Sequence, residues 1–149
     1  MVMKKREAFV EHFRELHPKF SRFYANMLNR VNLSLPQYVL LNQLCISGTI
    51  SMTEASKRLR ITKPAVTNLV DRLEEKELLK RVPHSKDRRI ILLELLPKAR
   101  KVVSRVQGRM IVLLLEAYDQ FNEEEHKVIR RFTATLSGIL DTVLNEEGE

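Results

Sequence analysis

Small polar side chains and long cations are spaced between Arg58 and Arg89 in a way that suits contact with a nucleic acid. Lys63, Thr67 and Asn68 would share the outward face at the start of a helix, where short side chains can approach base edges. Asparagine can bind adenine through two hydrogen bonds, and the threonine methyl group can contact thymine. Lysine and arginine would bind phosphates, which supply affinity without sequence preference. The spacing therefore predicts a surface that binds duplex DNA.

The candidate DNA-binding residues fall into two groups, the start of a helix and a basic loop further along the chain. We predict that Asn68 and Thr67 contact bases, because their side chains are short and polar. The cations of both groups would bind phosphates. The complete candidate set is Arg58, Thr62, Lys63, Thr67, Asn68, Arg72, Lys86, Asp87, Arg88 and Arg89.

Two short helices joined by a tight turn are predicted to position the first group. Ser51 and Glu54 form an S-x-x-E capping box, in which each side chain would satisfy a free amide of the first helical turn. Residues 59–62 are the predicted turn, and Thr62 is the predicted N-cap of the second helix. This order of elements is typical of a helix-turn-helix. The second helix carries one apolar stripe at helical spacing, formed by Val66, Leu69, Val70 and Leu73.

A pair of strands joined by a basic loop is predicted to position the second group. Leu78–Val82 and Arg89–Leu95 are rich in Leu, Ile and Val, and they bracket the polar stretch 83–88. Long cations on such a hairpin can reach phosphates or a narrow minor groove, whose negative potential attracts arginine. Asp87 could hold one arginine in place through a salt bridge. The hairpin is therefore expected to form a wing beside the helix-turn-helix.

The second helix becomes acidic toward its C-terminal end, where Asp71, Glu74, Glu75 and Glu77 follow one another closely. These carboxylates would be repelled by phosphate, so we expect the helix to enter a DNA groove with its N-terminus first. The same acidic half leaves a second function open. In that alternative, the winged helix is a protein-interaction module with no affinity of its own for DNA.

The segment with these features resembles the MarR family of winged helix-turn-helix transcriptional regulators. The matching residues are Val66–Glu74 in the second helix and Asp87-Arg88-Arg89, the family's D-x-R signature in the wing. The resemblance extends over essentially the whole chain, because a long helix precedes the segment and two long helices follow it. It implies a homodimer that binds pseudo-palindromic operators, in which Arg89 enters a minor groove and Asp87 orients it. It also implies a repressor that a small molecule or oxidation releases from DNA.

Five residues depart from the family pattern: Ala55-Ser56 stands where relatives often have Leu-Ala, and Arg60, Glu77 and Ala99 stand where relatives often have glycine. If the backbone at residues 60 and 77 is left-handed, each side chain there costs on the order of 1 kcal/mol. None of these departures removes a predicted DNA contact.

The expected fold is mainly α-helical with a small β-wing, in a single domain that covers residues 1–149. The winged helix-turn-helix lobe would comprise residues 33–96. The flanking segments, residues 1–32 and 97–149, would form helices for dimerisation. Within the first of these segments, Pro18 predicts a kink or a break in the helix.

The apolar content of the C-terminal segment predicts a second subunit. Residues 97–119 and 122–145 are expected to form two long helices, and the first is apolar on nearly all sides around Met110–Leu115. A helix that is apolar all round must be buried all round. Since a chain of 149 residues has little room for that, we infer a homodimer.

The charge distribution supports an anionic partner. The formal net charge is +7 at pH 7, and residues 57–109 hold 16 Lys and Arg against 6 Asp and Glu. Residues 110–149 hold 3 basic against 9 acidic residues, so the positive charge lies mainly on the predicted DNA-binding segment. A basic protein can also bind a membrane surface. We expect no membrane partner here, because no amphipathic basic helix has an apolar face left for lipid.

The sequence says less about a signal that would control DNA binding. Phe20, Phe23, Tyr24 and Tyr38 could line an effector pocket, although aromatic residues at helical spacing more often pack in a core. Cys45 could sense oxidation, but its apolar surroundings favour a buried structural thiol. The single cysteine and the absence of a secretory signal favour the cytoplasm.

Catalytic and metal-binding functions find little support in the sequence. The four glycines do not cluster into a phosphate-binding loop, and G-x-S-x-G, H-E-x-x-H and C-x-x-C do not occur. His12 and His17 are five residues apart, which is not the spacing that places two metal ligands on one helical face. We therefore expect a protein that is not an enzyme and that needs no metal or other cofactor.

Overall fold

This computed structural model describes residues 2–146. They contain six helices and three short strands, joined by turns and loops. The mainly helical fold with a small β-wing agrees with the prediction. The elements in chain order are α1 (Val2–Arg30), α2 (Leu35–Ser47), β1 (Ile50–Ser51), α3 (Met52–Leu59), α4 (Lys63–Glu75), β2 (Leu79–Pro83), β3 (Ile91–Leu95), α5 (Pro97–Tyr118) and α6 (Glu123–Glu146).

The three strands form one antiparallel sheet in the order β1-β3-β2. Ile50 pairs with Leu93 on one side of β3, and Arg81 pairs with Leu93 on the other side. The hairpin strands lie close to their predicted positions, but β3 begins two residues later than expected. Arg89 and Ile90 belong to the loop, where the Ile90 amide donates to the Asp87 carbonyl at 3.0 Å.

The chain divides after Gln107 into two compact units. The N-terminal unit contains the sheet and helices α1 to α4 together with the start of α5. Its core is formed by aliphatic side chains from α2, α4, β2, β3 and α5, because each of these elements turns its apolar positions inward. The side chains with almost no exposure are those of Leu40, Leu41, Leu44, Val66, Val70, Leu73, Leu79, Leu93, Val103 and Val106.

Side-chain caps fix where the helices begin. The Thr62 hydroxyl accepts a hydrogen bond from the Ala65 amide at 3.3 Å, and Ser51 accepts one from the Glu54 amide at 3.0 Å. Ser34 and Gln37 form a reciprocal capping box at the start of α2. This box was not among the predicted caps, although S-x-x-Q is a recognised form of the motif.

Three helices are followed by a residue with a left-handed backbone. Two of these residues, Arg60 and Glu77, are the positions where such a backbone was considered from the sequence. Arg60 has φ 53° and Glu77 has φ 57°, while Asn32 also has φ 53°. In each case the next residue donates its amide to a carbonyl five residues earlier, as Leu78 does to Leu73 at 3.0 Å. This backward bond satisfies a carbonyl at the helix end and requires the left-handed backbone, which glycine would adopt without strain.

Helix α1 continues through Pro18, so a break at this position was a wrong expectation. A proline inside a helix removes one backbone hydrogen bond and frees the carbonyl four residues earlier. Residues 11–19 are exposed on α1, so water can satisfy the freed group.

The C-terminal unit, from Gly108 onward, consists of the end of α5 and helix α6. The Tyr118 and His126 rings stack with centroids 3.9 Å apart, and the Arg130 guanidinium donates to the Tyr118 hydroxyl at 2.7 Å. Asn122 caps α6 by accepting a hydrogen bond from the Glu124 amide at 3.0 Å. None of the residues of α6, all of which the structure describes, is buried.

Candidate nucleic-acid interface

Helix α4 presents the predicted base-contacting face to solvent. Its apolar stripe is buried, from Val66 at one end to Leu73 at the other. The positions between these buried residues project outward because a helix turns about 100° per residue. Lys63, Thr67 and Asn68 are accordingly exposed on the N-terminal half of the helix.

The two predicted base-contacting residues differ in the hydrogen-bonding groups that they have available. The Thr67 hydroxyl donates to the Lys63 carbonyl at 3.1 Å within the helix. Its methyl group and the oxygen lone pairs remain for contact with a base. The Asn68 amide carries both donors and acceptors, which is the requirement for bidentate contact with adenine.

The wing loop is held by hydrogen bonds that two side chains accept. The Asp87 carboxylate accepts from the Arg89 amide at 3.0 Å and from the Arg89 guanidinium at 3.2 Å. These two bonds, the backbone bond more than the side-chain bond, lower the pKa of the Asp87 carboxyl from its ordinary value. The His84 imidazole accepts from the Lys86 amide at 3.2 Å. The loop is thus ordered while Lys86, Arg88 and Arg89 remain exposed, Arg89 to 91%.

Arg58 lies in a different environment from the other candidate cations. Its guanidinium donates to the Glu54 carboxylate at 2.8 Å and to the Ser47 hydroxyl at 2.7 Å. This hydrogen bond lowers the pKa of the Glu54 carboxyl, so the two charges compensate each other. Arg58 therefore joins α3 to α2 and has less charge to offer a phosphate than an unpaired arginine.

Arg72 and Asn68 lie along a shallow groove between the start of α2 and the outer face of α4. The other lining residues include Ser34, Pro36 and Pro64. Arg72 is exposed, so a phosphate could approach its guanidinium. The groove brings the candidate cation and the candidate base-contacting residue onto one surface.

Arg81, which was not among the predicted site residues, pairs with two carboxylates in the acidic half of α4. Its guanidinium binds Asp71 at 2.7 Å and also binds the Glu74 carboxylate. Asp71 and Glu74 were expected to repel phosphate, and this ion pairing reduces that repulsion. The signal in the sequence was the position of Arg81 in the first strand of the wing. It lies ten residues after Asp71 and seven residues after Glu74, both of which are on α4.

The predicted effector pocket is only partly assembled as expected. Sites for small molecules usually have volumes of about 300–1,000 Å³, and the cavity between α1 and α2 measures ≈ 700 Å³. Phe20, Tyr24 and Tyr38 line it, and Phe23, which packs against the core, does not. Burial raises the pKa of the Tyr38 hydroxyl, with Tyr24 raising it further, and Gln107 binds that hydroxyl.

The Cys45 thiol is half-buried on α2. Burial raises its pKa, and the opposing charge of Arg100 does not reverse that direction. A raised pKa lowers the thiolate fraction and with it the reactivity toward oxidants. Among residues 2–146, no three His, Cys, Asp or Glu side chains are grouped so that they could hold a metal ion. No helix in that range is long and apolar enough to cross a membrane.

Part of the chain is similar to one known protein family. Residues 31–90 match the sequence model of the MarR family. The HTH-type transcriptional regulator YsmB of Bacillus subtilis is 28% identical over 105 residues, which are 70% of this chain and 72% of YsmB. The HTH-type transcriptional repressor MdtR of the same organism is 29% identical over 106 residues, covering 71% of this chain and 68% of MdtR.

A solved structure shares the fold over nearly the full length. The YusO protein of Bacillus subtilis superposes with a TM-score of 0.81 at 23% identity, covering 93% of this chain and 98% of YusO. The matched segment 31–90 contains α2, α3, α4 and the wing loop, which carry the candidate DNA-binding residues. Residues 31–90 of this chain are therefore similar to the MarR family, whose members are DNA-binding transcriptional regulators and not enzymes.

Proposed function

We propose that the protein is a homodimeric repressor that binds a pseudo-palindromic operator in duplex DNA. The observation that carries the proposal is the exposed polar face of α4, with Thr67 and Asn68, beside a wing whose cations are exposed. The relative MdtR is a transcriptional repressor, which favours repression over activation. We expect the protein to act in the cytoplasm, where such an operator would be accessible.

Phosphate contacts would supply most of the affinity. Lys63, Arg72, Lys86 and Arg88 are exposed cations at the edges of the base-contacting face. Arg58 would contribute less, because Glu54 already pairs with it. Asp87 would keep Arg89 oriented toward a minor groove, where negative potential attracts arginine. Thr62 would act indirectly, since its hydroxyl caps the helix that carries Asn68.

Dimerisation through the helices at both chain ends would set the spacing of the two DNA-binding surfaces. The end of α5 exposes Ile111, Val112 and Leu115, and α6 exposes a further apolar stripe. Exposed apolar surface of this kind is typical of a subunit interface. A two-fold axis would place the recognition helices roughly 34–36 Å apart, and the half-sites about 10 base pairs apart.

A protein-interaction module without DNA affinity is the less favoured function. That alternative depended on the acidic half of α4, where Asp71 and Glu74 would present negative charge. Arg81 pairs with both of these carboxylates. The charge that argued against DNA is thus partly compensated within the fold.

Release by a small molecule is the proposed form of regulation. The cavity between α1 and α2 has aromatic walls, with Phe20 and Tyr24, and a polar group in the Tyr38 hydroxyl. This combination suits a compact, largely apolar ligand with one or two polar atoms. Oxidation at Cys45 has less support because burial raises the pKa of that thiol.

DNA binding is tested by selecting duplexes from a random library with the purified protein. We expect a two-fold symmetric consensus whose half-sites are centred about 10 base pairs apart. With roughly six to ten phosphates contacted per dimer, affinity should fall by a factor of 10³ or more between 50 and 200 mM salt. Failure to enrich any sequence, or a flat dependence on salt, would contradict the proposal.

Effector binding is tested separately by adding small aromatic compounds to the protein–DNA complex. A compound that occupies the cavity should lower operator affinity for the natural protein and not for Tyr38→Ala. The control variant Phe121→Ala changes an exposed aromatic residue outside the cavity and should respond as the natural protein does. Equal responses of all three proteins would remove the cavity from the proposal.

A further inference from the structure

Arg81 on strand β2 binds recognition helix α4 through both its side chain and its backbone. The guanidinium donates to Asp71 at 2.7 Å, to the Thr67 carbonyl at 3.4 Å and to the Glu74 carboxylate. The Arg81 backbone amide donates to the same Glu74 carboxylate at 2.8 Å. One residue of the wing thus makes four hydrogen bonds to one helix.

The acceptors lie along one edge of α4. Thr67, Asp71 and Glu74 are separated by four and three residues, so they occupy successive turns of the same side. The planar guanidinium has donors in a fixed arrangement, which makes its hydrogen bonds directional. The Arg81 side chain is 26% exposed, so solvent competes with these bonds less than on an open surface.

The remaining contacts of α4 with the core do not impose the same orientation. Val66, Val70 and Leu73 are buried aliphatic side chains, and apolar attraction is non-directional. Such packing holds the helix against the core but tolerates small rotations about the helix axis. Hydrogen bonds at two successive turns restrict that rotation.

We infer that Arg81 is a positioning residue for sequence recognition. It fixes both the rotation of α4 about its own axis and its position along that axis relative to the β2–β3 hairpin. Asn68 and the wing cations are thereby presented to adjacent grooves in fixed relative positions. This inference rests on the proposed DNA-binding function and adds a role for a residue that need not touch DNA.

The test compares Arg81→Gln with the matched control Lys80→Gln. Lys80 is the neighbouring residue on β2, and its ammonium pairs with Glu94 at 3.2 Å across the hairpin. Both variants remove one positive charge from the same strand, but only Arg81→Gln removes hydrogen bonds to α4. A difference between the variants therefore cannot come from net charge.

The DNA measurement uses a duplex selected by the natural protein and a scrambled duplex of equal length and composition. We expect Arg81→Gln to reduce the affinity ratio of selected to scrambled duplex at least tenfold. Scrambled-duplex affinity and the salt slope should change no more than in Lys80→Gln. Equal losses on both duplexes, with a salt slope lower by about one, would instead make Arg81 a phosphate contact and overturn the inference. An unchanged ratio would also overturn it.

Hydrogen exchange of backbone amides gives a measurement that does not depend on DNA. In Arg81→Gln, amides in residues 67–75 should exchange at least tenfold faster than in Lys80→Gln, while those in α2 should not change. Unchanged exchange in α4 would overturn the inference. If the natural protein selects no sequence, the proposed function fails, and this exchange comparison still decides whether Arg81 fixes α4.

Arg81→Lys covers the case in which the glutamine variant does not fold. Lysine keeps the charge but lacks the planar donor arrangement that reaches several acceptors. We expect an affinity ratio between those of the natural protein and Arg81→Gln, with faster exchange in α4. A lysine variant identical to the natural protein in both measurements would overturn the inference.

Discussion

Helices α4 and α6 carry similar apolar stripes and have opposite environments. In α4 the stripe residues Val66, Leu69, Val70 and Leu73 are at most 9% exposed. In α6 the stripe is 42–56% exposed, at Val128, Phe132, Leu136, Ile139, Leu140, Val143 and Leu144. The same periodicity therefore produces a core in one unit and an uncovered surface in the other. An apolar stripe therefore predicts that a surface will be buried, but it does not identify the element or subunit that covers it.

The largest expected effect comes from a charge in the stripe of α6. Leu136→Glu should prevent dimerisation, because a carboxylate would have to be buried without a partner. Specific DNA affinity should then fall roughly a thousandfold or more, toward the level of non-specific binding. Sedimentation and binding to the selected duplex measure the two effects.

The control for this variant is Arg131→Glu, which places the same acid at an exposed polar position of α6. It should leave the oligomeric state unchanged. A dimeric Leu136→Glu protein would show that the stripe of α6 is not the interface, and the contrast between the two helices would lose its functional meaning.

A truncation in the stripe of α4 should affect stability and not assembly. Leu73 is fully buried, so Leu73→Ala loses apolar burial and leaves a cavity. The free energy of unfolding should fall by roughly 2–5 kcal/mol. Denaturant titration measures this loss, while sedimentation should still report a dimer at protein concentrations where the variant is folded. A loss below about 0.5 kcal/mol would contradict the assignment of Leu73 to a close-packed core.

The exposed face of α4 and the wing should differ in what they contribute to DNA binding. Asn68→Ala should weaken binding by roughly 1–3 kcal/mol at one base position and relax preference there. Arg88→Ala should weaken selected and scrambled duplexes about equally and lower the salt slope by about one. Fluorescence anisotropy on both duplexes measures these changes. Equal losses on both duplexes for Asn68→Ala would argue against base contact.

The left-handed backbone at Glu77 predicts a small gain from glycine. Glu77→Gly removes the strain of a side chain at φ 57° and should stabilise the fold by about 0.5–1 kcal/mol. The lost ion pair with Lys98, at 3.8 Å and largely exposed, should matter little. Glu77→Ala is the control, because it removes the ion pair and keeps the Cβ atom. Thermal unfolding compares the two variants, and equal stability would show that the backbone is not strained.

The smallest expected effect concerns pH and the wing loop. Hydrogen bonds from Arg89 hold the pKa of the Asp87 carboxyl below its ordinary value of 3.8. Because the pKa is lowered, the stabilisation by the ionised Asp87 carboxylate is fully present above pH 3.8. It is lost as the pH falls through the lowered pKa. The difference in unfolding free energy between the natural protein and Asp87→Asn should be constant from pH 5 to 8 and shrink below pH 4. A difference that varies across the neutral range would point to another titrating group.

The elements around the candidate site could be predicted because their signals are local. Thr62 caps α4 from the position that the sequence indicated, and Val66 and Leu73 face the core as the helical spacing required. Asp87 pairs with Arg89, its neighbour two residues away. Interactions between residues a few positions apart follow from chain geometry alone, so the sequence determined them.

The partners of long side chains could not be predicted in the same way. Arg58 and Arg81 are both arginines in a basic segment, yet Arg58 joins α3 to α2 and Arg81 joins β2 to α4. Phe23 and Tyr24 are adjacent aromatic residues that both pack against the core, yet of the two Tyr24 alone also lines the cavity. A long side chain samples many positions, so its partner depends on which elements the fold brings near.

By itself, the sequence determined the helix-turn-helix, the wing and the outward position of Asn68, since caps, turns and apolar periodicity act within one or two helical turns. Only the tertiary structure decided which cations are paired, where a cavity opens and which apolar stripe is covered. Those properties depend on packing between elements far apart in the chain, and packing is a property of the assembled core.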